Sequence, residues 1–271
     1  PLYSSAASDV YKRQILATEL QGGDLQINAG EFADQRLNGN LSDFGEHFVV
    51  EQAGTGKVRV KAPGLWDDWQ TYDVSGTIIF KGGQGDDIFD AKGVTASNIK
   101  FEIDGGVGND QIILGPSSAP GPAVIMGSEG DDIIYGGSGD DIIYGLKGND
   151  TIYSGGGNDI IFGDYGRISS ESITAFFDPE TDGNDKIYGG GGDDIIFGSG
   201  GSDTIYGDDD DSISVGSDKD IIIGDGGKLV FTGSEAKTVA NVDKIEGTQR
   251  DRFKPQGGND ILIGSADNDI I

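Results

Sequence analysis

A nine-residue pattern repeats along this chain, and it restricts the fold more than any other feature. Four copies follow one another without a gap over residues 127–162: GSEGDDIIY, GGSGDDIIY, GLKGNDTIY and SGGGNDIIF. A second run, ETDGNDKIY, GGGGDDIIF and GSGGSDTIY, covers residues 180–206. Other copies, single or incomplete, begin at Gly82, Gly105, Gly207, Gly216, Pro255 and Gly264. A short regular period is typical of solenoid proteins, in which the repeats stack on one another.

Each of the nine positions has a distinct conformational role. Positions 1, 2 and 4 are mostly glycine, which adopts the positive φ angles of a tight turn without steric cost. Position 5 is Asp or Asn, which tolerate such angles, and position 6 is nearly always Asp. Positions 7 to 9 are mostly β-branched or aromatic, which favours a three-residue strand whose middle side chain points inward. One such strand buries nothing alone, so we expect two nonapeptides to form one coil of about 18 residues and the coils to stack as parallel strands.

The middle position of each short strand supplies the expected core. The residues at this position are Phe89, Ile112, Ile134, Ile143, Ile152, Ile161, Ile187, Ile196, Ile205, Ile222 and Leu262. The sequence therefore predicts an all-β protein, a parallel β-roll or β-helix solenoid with a thin core of isoleucine rows. Residues 15–81 contain no nonapeptides but alternate strongly in FVVEQ, KVRVKA and TIIFKG, which predicts further β-helix coils or a β-rich cap.

Position-6 aspartates that are one coil apart are expected to lie over one another. The pairs are Asp132 with Asp150, Asp141 with Asp159, and Asp185 with Asp203. Neighbouring strands are about 4.7 to 4.9 Å apart, which is about twice a Ca²⁺–oxygen distance of about 2.3 to 2.6 Å. Mg²⁺ binds at about 2.0 to 2.1 Å with strict octahedral geometry and fits this spacing less well. The spacing predicts calcium ions between successive turns, with further oxygens from the carbonyl groups of the glycine loops.

These copies resemble the hemolysin-type calcium-binding repeats of RTX proteins, whose consensus is G-G-x-G-x-D-x-U-x. The resemblance extends over residues 82–271 with interruptions. It implies a parallel β-roll that holds several Ca²⁺ ions between successive loops, and it implies export through a one-step secretion channel. The ligands that it implies are Asp87, Asp110, Asp132, Asp141, Asp150, Asp159, Asp185, Asp194, Asp203, Asp220, Asp260 and Asp269.

Two places depart from the repeat pattern. Ser212 stands where Asp194 needs its partner, and Asp220 follows Asp203 by 17 residues, one fewer than a regular coil. Two longer interruptions resemble each other, because GDYGRI begins the first at Gly163 and GDGGKL begins the second at Gly224. We interpret each as a hairpin excursion within a larger repeat; unrelated surface loops are the alternative.

The pattern divides the chain into seven segments. They are residues 1–14, the cap or irregular coils at 15–81, a first repeat block at 82–163, an excursion at 164–179, a second block at 180–224, an excursion at 225–254 and the start of a third block at 255–271. SSAASDVYKRQ in the first segment resembles a translated sequencing adapter, so we expect the protein's own sequence to begin near Ile15. The last residues fall inside a repeat, which suggests a fragment of a large bacterial secreted or surface protein.

Composition excludes several classes of function. Nineteen Lys and Arg against 47 Asp and Glu give a net charge of −28, which argues against nucleic acid as a partner. The absence of Cys and the single His47 exclude thiolate and His-rich zinc sites. No apolar run approaches the roughly 20 residues of a transmembrane segment. Apolar content of 35% with this charge predicts disorder unless a cation neutralises the carboxylates.

Enzyme motifs are absent, so we expect a protein without catalytic activity. The sequence contains neither HExxH nor GxSxG, and its GTGK stretch at Gly54 lacks the leading glycine of a P-loop. We expect calcium-coupled folding outside the cell or at its surface, in a structural or adhesive array with cell-surface or matrix contacts. A folding and secretion module of a larger secreted enzyme, such as a protease, lipase or polysaccharide-modifying enzyme, is the alternative.

Several aromatic and apolar side chains remain outside this scheme. We expect His47 at the surface or in the cap, and Trp66 and Trp69 in a packed loop, with sugar stacking as the alternative. The outward positions 7 and 9 form an apolar ladder that includes Tyr144 and Phe162. We expect these side chains to pair across strands; a lateral contact face is the other reading.

Overall fold

The described part of the chain is built almost entirely of β-strands and contains no α-helix. The computed structural model describes residues 15–30, 45–115, 121–176, 178, 180–207, 219–225, 227–232, 235–241, 252–254 and 261–263. No helix that could cross a membrane is present in these ranges.

Twenty-four strands are defined in the described residues. They are β1 (Ala17–Glu19), β2 (Leu25–Ile27), β3 (His47–Gly54), β4 (Lys57–Ala62), β5 (Trp66–Asp73), β6 (Thr77–Gln84), β7 (Ile88–Gly93), β8 (Lys100–Val107), β9 (Gln111–Ile113), β10 (Ala123–Glu129), β11 (Ile133–Gly137), β12 (Ile142–Lys147), β13 (Thr151–Gly155), β14 (Ile160–Phe162), β15 (Gly166–Ile168), β16 (Ser172–Ala175), β17 (Lys186–Tyr188), β18 (Ile195–Ser199), β19 (Thr204–Tyr206), β20 (Ile221–Asp225), β21 (Gly227–Thr232), β22 (Glu235–Asn241), β23 (Arg252–Lys254) and β24 (Ile261–Ile263).

Successive repeat strands alternate between two long sheets, as a two-sided coil requires. The first sheet has the order β1-β2-β6-β8-β10-β12-β14-β18-β20-β24, and the second has the order β23-β19-β17-β13-β11-β9-β7-β3-β4-β5. Repeat strands pair in parallel and mostly in the 18-residue register, so that Ile143 lies beside Ile161 and Ile134 beside Ile152. The prediction of a parallel β-roll of stacked nonapeptides is confirmed.

The core lies between the two long sheets and is one side chain deep on each side. The position-8 side chains of the described strands that were expected to point inward are at most 1% exposed. They are Phe89, Ile112, Ile134, Ile143, Ile152, Ile161, Ile187, Ile196, Ile205 and Ile222. Their flanking neighbours at positions 7 and 9 point outward, since side chains alternate along a strand.

The N-terminal region closes one end of the roll with antiparallel strands. β1 pairs antiparallel with β2, while β3, β4 and β5 form an antiparallel meander at the end of the second sheet. The alternating segments FVVEQ, KVRVKA and TIIFKG lie in β3, β4 and β6. The ring of Phe80 in β6 packs in the core against that of Phe89 in β7, with centroids 4.7 Å apart. The Tyr72 hydroxyl accepts hydrogen bonds from the backbone N–H groups of Leu16 and Ala17, which ties β1 to β5. The region thus combines the two predicted structures, because β2, β3 and β6 also pair in parallel with the strands that follow them in the coils.

The two excursions form a third, four-stranded sheet, named here the excursion sheet. Its order is β15-β16-β21-β22 and all its pairs are antiparallel. The first hairpin, β15–β16, joins the second hairpin, β21–β22, through the pairing of Ile173 with Leu229. This sheet packs on the outward face of the first sheet, over Phe162 and Phe197. The apolar ladder thus pairs across strands as expected, and strands of the same chain cover part of it.

Candidate metal centre

The position-6 aspartates are buried and stand in two columns. The first column precedes strands of the second sheet and contains Asp87, Asp110, Asp132, Asp150, Asp185 and Asp203. The second column precedes strands of the first sheet and contains Asp141, Asp159, Asp194 and Asp220. All ten are at most 3% exposed. Asp260 and Asp269 lie outside the described residues.

One carboxylate oxygen of each aspartate accepts a hydrogen bond from the coil before it. The N–H of Asp132 donates to Oδ1 of Asp150 at 2.8 Å, and the N–H of Asp141 donates to Oδ1 of Asp159 at 2.8 Å. The N–H of Asp185 donates to Oδ1 of Asp203 at the same distance. The stacking of these three pairs is therefore confirmed, whereas their role as calcium ligands stays a prediction.

Asp220 belongs to the second column, and its expected place after Asp203 was wrong. The N–H of Asp194 donates to Oδ1 of Asp220 at 3.0 Å across a separation of 26 residues. The reason is the strand that follows, because β20 pairs with β18 in the first sheet, whereas β19 pairs with β23. Asp194 thus has a carboxylate partner even though Ser212 stands at the regular position. Residues 208–218 lie outside the described residues.

The second carboxylate oxygen, Oδ2, is the unusual feature of these columns. In six of the aspartates this atom is buried and has no hydrogen-bond partner among the described residues. The six are Asp110, Asp132, Asp141, Asp150, Asp159 and Asp185. Leaving a buried polar atom without a partner costs about 1 to 3 kcal/mol, and more for a charged group. A row of such atoms points to a ligand that accepts carboxylate oxygens.

A backbone carbonyl oxygen faces five of these six carboxylates from the next coil; the exception is Asp159, whose repeat has Ser154 at position 1. A Cβ atom placed on Gly136, at position 1, would lie 3.0 Å from Asp141 Oδ2 and 2.5 Å from the carbonyl oxygen of Ser154. The same arrangement, with both oxygens within 3.0 Å of the glycine's Cβ position, occurs at Gly82, Gly105, Gly127, Gly145, Gly163, Gly189 and Gly198. At these glycines a side chain would fill the point on which the two oxygens converge. In the repeat of Asp159, Ser154 takes this position and its hydroxyl group donates to the carbonyl oxygen of Gly189.

Burial raises the pKa of these carboxyl groups well above the ordinary value of 3.8. Desolvation is the main cause, and it raises the pKa of Asp132 and Asp141 to about 8. The pKa of Asp150 rises to about 7 for the same reason, and that of Asp159 to about 6. The stacked neighbours Asp150 and Asp159 further raise the pKa of Asp132 and Asp141 respectively, while the backbone hydrogen bonds lower it. The columns therefore hold carboxylates that need either a proton or a cation.

Position 5 forms a second, exposed ladder whose hydrogen bonds run in the opposite direction. The N–H of Asn149 donates back to Oδ1 of Asp131 at 2.8 Å, and the N–H of Asn158 donates back to Oδ1 of Asp140 at 2.9 Å. These side chains are exposed, so water can solvate their remaining oxygens. Position 5 stabilises the stacked turns, and position 6 holds the unsatisfied charge.

The oxygen set of the columns suits a hard cation. In the part of the chain that the structure describes, no three Asp, Glu or His side chains come together as a metal-binding group. A site in the columns therefore has to combine carboxylates with backbone carbonyl oxygens, which is the mixed set that Ca²⁺ accepts in flexible geometry. The residues present fit calcium, and they offer no nitrogen or sulfur ligand for zinc.

One buried acidic residue beside the columns, Asp164, was not anticipated from the sequence. Asp164 is fully buried, and its carboxylate accepts the N–H groups of Gly183 at 2.9 Å and Gly200 at 3.0 Å. Desolvation first, and then the charge of Asp182, raise its pKa to about 8. The only sequence signal is the Gly-Asp dipeptide at residue 163, which recurs at residue 224.

The other candidate residues lie in the cap, where His47 pairs with Ile88, next to Asp87 of the first column. His47 begins β3 and is half-buried, as expected for a cap residue, and burial lowers its pKa. Trp66 and Trp69 lie in strand β5, so the expectation of a loop was wrong. Gln70 of the same strand is buried. Arg59 and Lys61 contact the ring of Trp69, at 4.4 and 4.6 Å from its centroid.

A comparison with protein families agrees with the geometry of the columns. The family model of the RTX calcium-binding nonapeptide repeat matches the chain in four copies, over residues 121–152, 138–167, 181–211 and 256–271. These stretches contain both column neighbours in the pairs Asp132 with Asp150 and Asp141 with Asp159. No curated protein and no solved structure matches the chain.

Proposed function

Because the chain is an RTX-type calcium-binding repeat protein, we propose that calcium drives its folding outside the cell, where the β-roll acts as a structural or adhesive array. The observation that carries the proposal is the row of buried Oδ2 atoms without hydrogen-bond partners in the two columns. Five of the six atoms, all except that of Asp159, face a carbonyl oxygen of the next coil, so the coil stack itself builds the oxygen set.

Charge explains why folding depends on the ion. The chain has a net charge of −28, and the columns stack the carboxylates of successive coils, each held by the backbone N–H of the aspartate before it. Opposing this repulsion is a core only one side chain deep on each sheet. A bound Ca²⁺ neutralises the carboxylates and takes their oxygens as ligands, so that binding free energy becomes folding free energy.

Residues of the chain position the carboxylate oxygens that would hold the ion. The N–H of each position-6 aspartate fixes the carboxylate of the next coil, which holds Oδ2 toward the glycine loop. Where position 1 is glycine, that point stays open. The parallel backbone pairing of the strands sets the spacing of the coils, and the inward isoleucine rows pack between the two sheets.

The place of action follows from the calcium concentration that such sites need. Extracellular calcium modules bind with dissociation constants of about 10⁻⁴ to 10⁻³ M, and free calcium is far scarcer inside cells. The chain then stays expanded before export and folds after it, consistent with its kinship to RTX repeats. We assign it a structural role rather than catalysis, because its acidic residues recur as a regular ladder and its sequence lacks common enzyme motifs.

Far-UV circular dichroism of the chain during a Ca²⁺ titration tests this proposal, with Mg²⁺ as the control ion. We expect a cooperative change from coil to β-structure with Ca²⁺ and little change with the same concentration of Mg²⁺. A β-signal that is already complete in chelator would show that the isoleucine rows suffice, and it would overturn calcium-driven folding.

A further inference from the structure

The excursion sheet brings together apolar side chains from both repeat blocks. A second apolar cluster, separate from the main core, contains Phe162, Ile173, Ala175, Phe197, Ile223 and Leu229, each at most 2% exposed. Phe162 belongs to the first block, and Phe197 and Ile223 belong to the second. Ile173 comes from the first excursion and Leu229 from the second. Four separate segments of the chain thus share one core on the outside of the roll.

The geometry of the larger repeat keeps this outer core in register. The two excursions begin 61 residues apart, at Gly163 and Gly224. Between them the chain adds two strands to the first sheet, β18 and β20, and each excursion adds two strands to the excursion sheet. Each repeat of about 61 residues therefore lengthens both sheets by about 10 Å along the roll, since neighbouring strands are about 4.8 Å apart. Because the first sheet and the excursion sheet lengthen by the same amount, the excursion sheet stays over the outward face of the first sheet.

Inside the roll the two blocks also meet directly, through pairings as long as that of β12 with β14, which covers three residues. Across this junction β14 pairs with β18, and β13 with β17, over three residues in each sheet. Phe162 of β14 lies beside Phe197 of β18, and their rings stack on the outward face of the first sheet with centroids 5.1 Å apart. The excursion sheet covers these rings and adds the backbone pairing of Ser172–Thr174 with 228–230, which links the two excursions directly.

We propose that the excursion sheet couples the two repeat blocks, so that both fold at the same calcium concentration. In a solenoid each repeat contacts only its neighbours, and cooperation between distant repeats depends on the strength of every interface between them. The outer core adds a second interface at the junction where the chain leaves the roll. This inference rests on the proposed calcium-driven folding and concerns how the blocks share it.

Hydrogen–deuterium exchange of the full chain across a Ca²⁺ titration tests the coupling block by block. Peptides from residues 127–153 report the first block, and peptides from residues 185–206 report the second. In the unmodified chain we expect both sets to gain protection at one common midpoint. With Ile173→Ser and Leu229→Ser combined, we expect the two midpoints to separate by about threefold or more, because the blocks then respond as separate solenoid segments.

Two controls distinguish coupling from general destabilisation. Thr174→Ser lies on the same strand but faces away from Ile173, and it should leave one common midpoint. Ile134→Ala weakens the core of the first block alone. While the excursion sheet is intact, this variant should move the calcium midpoints of both blocks together. When Ile173 and Leu229 are also replaced, it should move only the midpoint of the first block. If the double variant gains no protection at any calcium concentration, the milder Ile173→Ala takes its place in the same comparison.

The outcomes separate this inference from the proposed function. Protection that does not depend on Ca²⁺ in the unmodified chain would overturn the proposed function and the coupling with it. Calcium-dependent protection whose two midpoints stay together after the outer core is disrupted would overturn the coupling alone.

Discussion

The buried carboxyl groups of the columns give the chain a dependence on pH at the scale of single residues. Burial raises the pKa of Asp132 and Asp141 from 3.8 to about 8 in the folded chain without metal. A folded-state pKa above the unfolded one stabilises the fold at low pH, and this contribution is lost as the pH rises through the folded value. The loss for these groups therefore extends from about pH 4 to about pH 8.

We predict that the chain in chelator has more β-structure at pH 5 than at pH 8. Circular dichroism in chelator at several pH values measures it, and saturating Ca²⁺ should largely remove the difference, because calcium replaces the protons on these groups. A β-signal in chelator that rises with pH would contradict the assignment of buried, metal-free carboxyl groups.

Glycine at position 1 provides a second prediction at this scale. A Cβ atom at Gly136 would approach the carbonyl oxygen of Ser154 to 2.5 Å and Asp141 Oδ2 to 3.0 Å, so Gly136→Ala crowds the point where these oxygens converge. We expect the calcium midpoint of folding to rise about tenfold, equivalent to about 1.4 kcal/mol. The matched control is Gly191→Ala, where a Cβ atom would have no neighbour within 4 Å and φ is not positive.

A calcium titration followed by circular dichroism measures both glycine variants. Gly191→Ala should stay close to the unmodified chain or gain slightly from the smaller entropy of its unfolded state. Equal midpoints for the two variants would show that the space beside Gly136 does not matter for calcium.

Much of the residue pattern was predictable, because the nine positions differ so strongly. The alternation of β-branched residues identified Ile143 and Ile161 as inward, and the coil length placed Asp141 beside Asp159. The sequence could not show that one oxygen of each aspartate is used by the coil before it, while the other stays without a partner. That distinction depends on the position of a backbone N–H group in three dimensions.

At the scale of strands, the inward isoleucine rows should carry most of the stability of the folded roll. Ile161 is fully buried between the two long sheets, whereas Ile133 points outward and is 39% exposed. In saturating Ca²⁺ we expect Ile161→Ala to lower the free energy of unfolding by about 2 to 5 kcal/mol. Ile133→Ala should change it by no more than about 0.5 kcal/mol.

Urea denaturation followed by circular dichroism compares the two isoleucine variants. The free energies should be compared as differences within this series, because a stacked array need not unfold in one step. A loss for Ile133→Ala as large as that for Ile161→Ala would contradict the division into inward and outward rows.

The strand pairing also shows where the spacing of the repeats fails to predict which aspartates stack. Counting residues placed Asp220 after Asp203, but the pairing of β20 with β18 placed it after Asp194. After an irregular repeat, residue counting no longer shows which column the next aspartate joins. The column depends on which sheet the strand after that aspartate packs into. The joining of the two excursions into one sheet was equally inaccessible, since antiparallel pairing between segments that lie about 55 residues apart leaves no local signal.

At the scale of the whole molecule, the two ends of the described roll differ. At the N-terminal end β1, β4 and β5 have only antiparallel partners, although β2 and β3 pair in parallel with β6 and β7. At the other end β23 and β24 pair in parallel with β19 and β20. The alternating segments predicted strands in the cap, and the switch of strand direction comes from the short turns between β3, β4 and β5.

The account rests on the claim that the buried aspartates of the columns are calcium ligands. The most direct measurement is the number of Ca²⁺ ions bound per chain, obtained by equilibrium dialysis and elemental analysis. Replacing Asp132 and Asp150 together by Asn removes two stacked, buried carboxylates. Replacing Asp131 and Asp140 by Asn removes the same charge from the exposed ladder. We predict fewer bound ions for the first variant and an unchanged number for the second; equal numbers in both variants and in the unmodified chain would contradict the claim.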